Sequence, residues 1–208
     1  GSYSNAFDPG GGLVAPTPGH PSGYAVAYAA ATGAPAWVRL LGRNVDQGAG
    51  DTGLWAHVEV AAIDGTGAVA VGGYLDGSDG QRANLGPLAS PQRITVRGAT
   101  ELFVVRLASG DGAPVGSFGL GSASGGGERL QALAASGGDM IARGTFTAAT
   151  LDVGGLTVAG AGSAGQVDAF VARVATVGTA RWATRLGPFA TASDGPTAVA
   201  ATGEVIVA

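Results

Sequence analysis

The amino-acid sequence predicts an all-β protein built from repeated units of four strands. The 208 residues include 39 glycines and 10 prolines, and no helical period of apolar positions persists along the chain. Short runs rich in Val, Ala, Thr and aromatic residues alternate with TG, DG, GG and SG pairs, which favour tight turns. A hydrophobic content of 46% with a net charge of −4 is too apolar for a disordered chain.

Three segments of the chain align with one another, which indicates an internal repeat. Each has an aromatic residue at its second position, then an apolar stretch, a glycine turn and a final Leu-Gly pair. The segments are residues 23–42, 102–121 and 169–187. Their aromatic residues Tyr24, Phe103 and Phe170 are 79 and then 67 positions apart, and insertions in the first unit account for the longer interval.

Each unit should contain four strands. In the first unit they are predicted around residues 24–30, 36–41, 56–63 and 68–74, with glycine turns inside each pair. The predicted units are residues 22–75, 101–147 and 168–208, and residues 1–21 complete the last unit in phase. Residues 1–208 are therefore interpreted as a single repeat region.

The third strand of each unit is rich in small residues, in the runs AAI, LAA and VAA. In a radial stack of sheets the strand nearest the axis has the least room, so this pattern favours a β-propeller with three four-stranded blades in this chain. A general abundance of alanine would explain the same runs. A β-trefoil also has three units of four strands and is the alternative, although its units are typically much shorter.

Three motifs resemble the bacterial β-propeller repeat often called SBBP. They are DAFVAR at 168–173, the Trp-x-x-x-Leu-Gly pattern at 37–42 and 182–187, and GEVIV at 203–207. The resemblance covers nearly the whole chain and implies one blade per repeat, in a secreted or cell-surface protein. Three features depart from it: Gly116 occupies the tryptophan position, the first unit lacks the arginine seen at Arg106 and Arg173, and aspartate precedes Ala-Phe only at Asp168.

Composition excludes several classes of function. The absence of cysteine excludes a disulfide scaffold, a cysteine-ligated zinc site and a thiol nucleophile, and His20 and His57 alone leave little for a histidine metal cluster. All eleven basic residues are arginine, and the acidic balance offers no surface for nucleic acid. No run of 18 apolar residues predicts a membrane span. We expect no cofactor.

Two motifs suggest enzymes, but neither is complete. Gly160, Gly162 and Gly165 match a dinucleotide-binding pattern, which requires a helix after the loop where the repeat predicts a strand. Ser163 lies in a sequence one residue short of a nucleophile elbow, and no histidine follows it. His57 and Glu59 could share one face of a strand, yet they lack a nucleophile. The sequence therefore predicts no catalytic residue and no enzyme. A hydrolase or dehydrogenase is the least favoured hypothesis for the function.

The candidate ligand-binding residues cluster in the one unit that has long insertions, because insertions on a repeat scaffold usually carry binding surfaces. They are Asp46, Asp51, Trp55, Asp76 and Asp79. Their oxygen-rich loops could hold calcium, but they lack the glutamate and spacing of an EF-hand, and aspartate-glycine pairs also form turns. No metal site is predicted.

The predicted function is a non-enzymatic binding module that contacts a protein or glycan at a blade face. The alternative is a lectin-like carbohydrate-binding propeller, although the candidate residues have no counterparts in the other units. Three blades cannot close a ring, so we expect further blades from a second chain, giving six, or from sequence absent here. The final VIVA should then pair or merge with a GSYS-like segment, since residues 1–12 resemble residues 144–155.

Overall fold

The computed structural model describes residues 2–3, 7–10, 12, 22–41, 43–44, 54–64, 66–85, 93–122, 127–161, 166–189, 197–199 and 205–207. Within these residues every regular element is a β-strand, which confirms the all-β class. The strands are β1 (Ser2–Tyr3), β2 (Ser22–Tyr28), β3 (Pro35–Leu41), β4 (Arg43–Asn44), β5 (Trp55–Ile63), β6 (Val69–Asp76), β7 (Arg82–Asn84), β8 (Arg93–Thr95), β9 (Thr100–Leu107), β10 (Pro114–Leu120), β11 (Arg129–Ser136), β12 (Asp139–Phe146), β13 (Thr150–Val153), β14 (Leu156–Ala159), β15 (Val167–Ala175), β16 (Ala180–Phe189), β17 (Thr197–Val199) and β18 (Val205–Val207).

The larger sheets are antiparallel and share one plan. Sheet A has the order β1-β2-β3, sheet B β5-β6-β9-β10, sheet C β11-β12-β15-β16 and sheet D β17-β18. The four strands predicted for the first unit are β2, β3, β5 and β6, each placed within about two residues of its expected bounds. Sheets B and C are thus two copies of one four-stranded meander.

The sequence prediction missed the short strands between the two halves of each meander. The hairpin β7–β8 follows β6, and the hairpin β13–β14 follows β12. Each hairpin also joins the end of the preceding repeat: β4 pairs with β7, and Gly121 forms an isolated bridge with Asp152 of β13. The runs are only three or four residues long, which is too short for a clear alternation of apolar and polar positions.

Hydrogen bonding joins halves of neighbouring sequence units. Sheet B takes β5 and β6 from the unit at 22–75, and β9 and β10 from the unit at 101–147. The predicted unit boundaries therefore describe the sequence repeat and fall in the middle of the sheets.

The central strands of sheet B, β6 and β9, are buried on both faces, so they lie between two neighbouring layers. Along β6 and β9, Tyr74, Leu102 and Val104 face sheet C, in a cluster that includes Leu130 and Phe146. The alternate residues of the same strands face sheet A and the β7–β8 hairpin, in a second cluster of buried side chains. Burial on both faces explains why these strands are nearly continuous apolar runs.

The strands with small residues lie side by side in this stack. β5 contacts β11, and β11 contacts β17. The described sheets close into neither a barrel nor a ring.

The outer strand of one sheet docks on a turn of the next sheet. Trp37 of β3 is buried, and its Nε1 donates to the carbonyl oxygen of Ser109, 3.0 Å away, in the β9–β10 turn. Arg39 donates to the carbonyl oxygen of Gly112 at 2.9 Å. Gly112 has a φ of +68°, and a Cβ there would meet the Trp37 ring at 2.6 Å. A glycine is therefore required where the indole covers the turn.

Candidate functional site

An aromatic cluster lies at the start of β5, where sheets B and C meet. The rings of His57 and Tyr74 stack with their centroids 4.4 Å apart, because the register of β5 and β6 places these residues opposite each other. Arg129, the first residue of β11, lies over the Tyr74 ring with Cζ 3.7 Å from the centroid. Trp55 extends the cluster outward, 6.4 Å from the His57 ring, and is 45% exposed. The cluster therefore combines a stacked ring pair and a cation with an exposed indole that is tilted by 44° against the His57 ring.

The electrostatics of the aromatic cluster favour neutral rings. Burial lowers the pKa of His57, and Arg129 lowers it further, while Asp76 acts in the opposite direction. Burial also raises the pKa of Tyr74, and the charges of Arg129, Glu59 and Asp76 modify this shift.

The structure brings together some of the predicted site residues. Trp55 and Asp76 are cross-strand partners, so an indole and a carboxylate lie side by side at the edge of the aromatic cluster. Asp79 lies in the following turn, where its Oδ1 accepts the backbone N–H of Gly98 at 3.1 Å. Asp46 and Asp51 lie outside the described residues. Sequence reasoning missed Tyr74 and Arg129, and no motif spacing connects them to Trp55.

In the residues that it describes, the structure adds no support for the dinucleotide-binding, nucleophile or metal motifs. Gly160 is followed, after the undescribed residues 162–165, by the strand β15. A dinucleotide-binding loop is followed by a helix, whereas the described element that follows Gly160 is a strand. Ser163 and His20 are outside the described residues. Within the described part of the chain, no three His, Asp or Glu side chains are grouped as metal ligands would be.

A buried ion pair under the loops was not predicted. Glu101 of β9 is 1% exposed and receives two hydrogen bonds from the Arg97 guanidinium, at 2.8 and 3.1 Å. Arg97 also donates to Asp152 of the β13–β14 hairpin at 3.1 Å. Burial raises the pKa of Glu101, although Arg97 opposes the shift. The pair fixes a hairpin to a strand, which is a structural role.

A second buried carboxylate, Glu128, lies just before β11. The hydroxyl of Thr100 donates to it, and the hydroxyl of Ser122 donates at 3.2 Å. Burial raises the pKa of Glu128. The residue is completely buried, so it cannot reach a substrate from solvent.

A groove of about 710 Å³ opens between sheets A and B. Its walls are β2 from Tyr24 to Tyr28, Trp37 of β3, β5 from Val58 to Ile63, and two valines of β6. The lining is apolar apart from the Tyr hydroxyls and Glu59.

Comparison with known proteins finds no family model that matches the chain and no similar curated protein. Among the described residues there is no helix of the length and apolarity that a membrane crossing demands.

Proposed function

We propose that this chain is a non-enzymatic β-propeller scaffold that binds a protein or glycan through the aromatic cluster. The observation that carries the proposal is the repeated meander. Sheets B and C have the same strand order, and sheet B is covered on both faces, as a blade between two neighbours is. The ring is completed by further blades, from a second chain or from sequence outside these 208 residues.

The contacts between sheets support a radial arrangement. Arg39 of β3 donates to the carbonyl oxygen of Gly112 in the β9–β10 turn of the next sheet at 2.9 Å, and Phe118, at the equivalent position of β10, covers Gly178 in the β15–β16 turn, where a Cβ would lie 2.5 Å from Phe118. The same outer-strand position thus docks on the same turn twice in succession. Such a relation between neighbours repeats around an axis in a propeller.

Binding by the aromatic cluster is supported by the exposure of Trp55 and by the absence of an equivalent ring in sheet C. Trp55 is exposed beside Asp76, while the His57 ring stacks on Tyr74 and the Arg129 guanidinium lies over the Tyr74 ring. In sheet C the position of Tyr74 is occupied by Thr145, which pairs with Arg129 as Tyr74 pairs with His57. A cluster that does not recur between the two described four-stranded sheets suits a scaffold with a single partner better than a multivalent lectin.

A lectin-like function is the second candidate, favoured by the exposed indole beside a carboxylate. A glycan array tests the two against each other. The scaffold function predicts no monosaccharide hit. A strong hit that Trp55→Ala abolishes, and that Leu156→Ala leaves intact, would reverse the order; Leu156 is similarly exposed, at 40%, but lies on β14.

The fold is tested by electron microscopy of the purified chain. The proposal predicts particles in which sheets radiate from a central axis. A compact barrel closed around a threefold axis within one chain would refute the propeller and favour a trefoil.

A further inference from the structure

Two turns of this protein have the same backbone structure. They join β2 to β3 at residues 29–34 and β9 to β10 at residues 108–113, and each ends in Gly-Ala before a proline. In both turns the glycine N–H donates to the carbonyl oxygen four residues earlier, at 2.8 Å for Gly33 and 2.9 Å for Gly112. Both glycines have a φ of +68°. The two turns therefore offer the same surface to a neighbouring side chain.

One of these turns is covered by an indole and the other is uncovered. A Cβ on Gly112 would lie 2.6 Å from the Trp37 ring, and Trp37 Nε1 donates to the carbonyl oxygen of Ser109 at 3.0 Å. A Cβ on Gly33 would meet no atom within 4 Å, and residues 29–34 are all exposed. The β2–β3 turn therefore has the form that an indole covers, without an indole on it.

The strand β16 carries the counterpart of Trp37 in an exposed position. Trp182 occupies the same place in sheet C, because each tryptophan pairs with the residue three positions after the aromatic residue of its repeat. Trp182 is 36% exposed, whereas Trp37 is 8% exposed. Leu186 is also 36% exposed, whereas its counterpart Leu41 is 1% exposed. The two apolar side chains that are buried in β3 are thus exposed in β16.

We propose that Trp182 of one copy of this chain docks on the β2–β3 turn of a second copy. The indole would lie against Gly33, and its Nε1 would donate to the carbonyl oxygen of Ala30, the residue that matches Ser109 in the other turn. This inference rests on the proposed propeller, because it extends to two copies the contact through which sheet A docks on sheet B.

A second copy is the partner because the indole and the turn that fit each other do not meet within one chain. Since no atom lies within 4 Å of a Cβ on Gly33, the Trp182 ring of the same chain is not there. The two equivalent turns are already covered within the chain, at Gly112 by Trp37 and at Gly178 by Phe118. When two copies make the new contact reciprocally, they form a closed dimer with a twofold axis.

The contact between copies should be weaker than its counterpart within the chain. Arg39 of β3 donates to the carbonyl oxygens of Asp111 and Gly112, at 2.7 and 2.9 Å. The same register position of β16 is Thr184, whose side chain is shorter and carries no charge. Without the two arginine hydrogen bonds, we expect a reversible dimer whose population depends on protein concentration.

Sedimentation equilibrium over a range of concentrations measures the dissociation constant of the dimer. The unmodified chain should form a species of about twice 20.0 kDa. Trp182→Ala removes the indole, and Gly33→Ala places a Cβ where the indole would lie. Loss of a hot-spot tryptophan weakens an interface by about 30-fold or more, and the closed dimer has two such contacts, so each variant should weaken the dimer by roughly 1,000-fold.

Each variant has a matched control. Gly80→Ala is the control for Gly33→Ala, because Gly80 also has a positive φ, +84°, and a Cβ there also meets no atom within 4 Å. Ile63→Ala is the control for Trp182→Ala, because Ile63 of β5 is an exposed apolar side chain, at 71%. Both controls should dimerise as the unmodified chain does. Thermal unfolding then shows that all four variants fold and that the two glycine variants carry similar backbone strain.

Mixing the two test variants identifies the residues that meet. A mixed dimer has one intact contact, between Trp182 of the Gly33→Ala chain and Gly33 of the Trp182→Ala chain, whereas a dimer of either variant alone has none. The mixture should therefore associate about 30-fold more tightly than either variant by itself. No gain on mixing would overturn the inference, since the two residues would then act at different places.

The outcomes separate this inference from the proposed function. Dimers that neither variant weakens would overturn the contact, and so would a chain that stays monomeric at every concentration. The particle images and the Trp55→Ala glycan test described above still decide the proposed function in either case, because neither depends on contact between Trp182 and Gly33.

Discussion

Replacing Gly144 by alanine should destabilise sheet C strongly. Both four-stranded sheets have a β-bulge in their first strand, between Val58 and Val60 in β5 and between Leu130 and Ala132 in β11. The bulge brings a backbone carbonyl against the neighbouring strand at one glycine. A Cβ on Gly144 would overlap the carbonyl oxygen of the residue before Leu130 and lie 2.7 Å from the Phe170 ring.

The equivalent position in sheet B is Gly73. A Cβ there would overlap the carbonyl oxygen of His57 and lie 2.8 Å from its carbonyl carbon. Carbon atoms in good contact are about 3.5–4.0 Å apart, so a strand backbone would have to move in either case. Overpacking of this kind costs about 1–3 kcal/mol, and we expect the upper end because the obstacle is main chain held in a ladder.

Thermal unfolding measures the effect. For a chain of this length, about 3 kcal/mol lowers the Tm by roughly 6–12 °C. Gly110→Ala is the matched control, because a Cβ at Gly110 meets no atom within 4 Å, and it should shift the Tm by less than about 2 °C. Equal melting temperatures for Gly144→Ala, Gly73→Ala and the control would refute the bulge argument.

Three further predictions concern stability. Trp37→Ala should lower the free energy of unfolding in urea by about 3–5 kcal/mol, because a buried indole and its hydrogen bond to the next sheet are both lost. A loss below about 0.5 kcal/mol, as is usual for an exposed site, would contradict the docking of Trp37 on that sheet. The raised pKa of Glu128 makes its contribution to stability greatest below the ordinary carboxyl pKa and lost as pH rises through the raised value. Glu128→Gln should therefore reduce the gain in Tm on mild acidification, and the part that remains should come from Glu101, whose pKa is also raised. The pKa of Asp64 is lowered to about 2, first by the Thr66 hydroxyl and then by Arg106. Its contribution to stability is therefore present above the ordinary aspartate pKa and is lost as pH falls from about 4 to about 2. In Asp64→Asn the free energy of unfolding in urea should change less with pH in that window, and an unchanged pH dependence would contradict the prediction.

Most strands could be predicted from the sequence because their signals are local. The turn glycines Gly33, Gly67, Gly112 and Gly178 have positive φ, which is the conformation that favours glycine and ends a strand. The way the strands combine into sheets could not be predicted. A repeat has the same periodicity wherever its unit is taken to begin, and only pairing between distant strands decides which hairpins share a sheet.

The candidate site was predictable only in part. Trp55 and Asp76 were selected because insertions surround them, and the structure makes them cross-strand neighbours. The stacking of His57 on Tyr74 follows from the register of β5 and β6, and Arg129 arrives from another sheet. Register and sheet packing are long-range properties, so no local pattern of residues reveals this cluster.

A buried acid occupies one repeat position in both sheets, although the sequence comparison found aspartate there only once. Glu101 lies opposite Leu75 in sheet B, and Asp168 lies opposite Phe146 in sheet C. Both acids are almost fully buried, and each accepts a backbone N–H from the loop before its strand. The shared feature is a carboxylate at this place in the sheet, which a comparison limited to aspartate overlooks.

The cation that accompanies the acid comes from a different place in each sheet. Arg185 of β16 lies near Asp168, with 3.5 Å between Nη1 and Oδ1, whereas Arg97 in the preceding loop binds Glu101. In sheet B the position of Arg185 is Gly119, and a Cβ there would lie 2.5 Å from Glu101 Oε1. Gly119 leaves room for the side chain of Glu101, which is longer than that of Asp168. The positive charge that Arg185 of β16 supplies in sheet C comes in sheet B from Arg97 in the loop. Because a buried carboxylate without a partner is costly, acid length, strand residue and loop arginine must change together between repeats. Single-position alignment of the repeats cannot reveal such a compensation, since each of its parts lies at a different position.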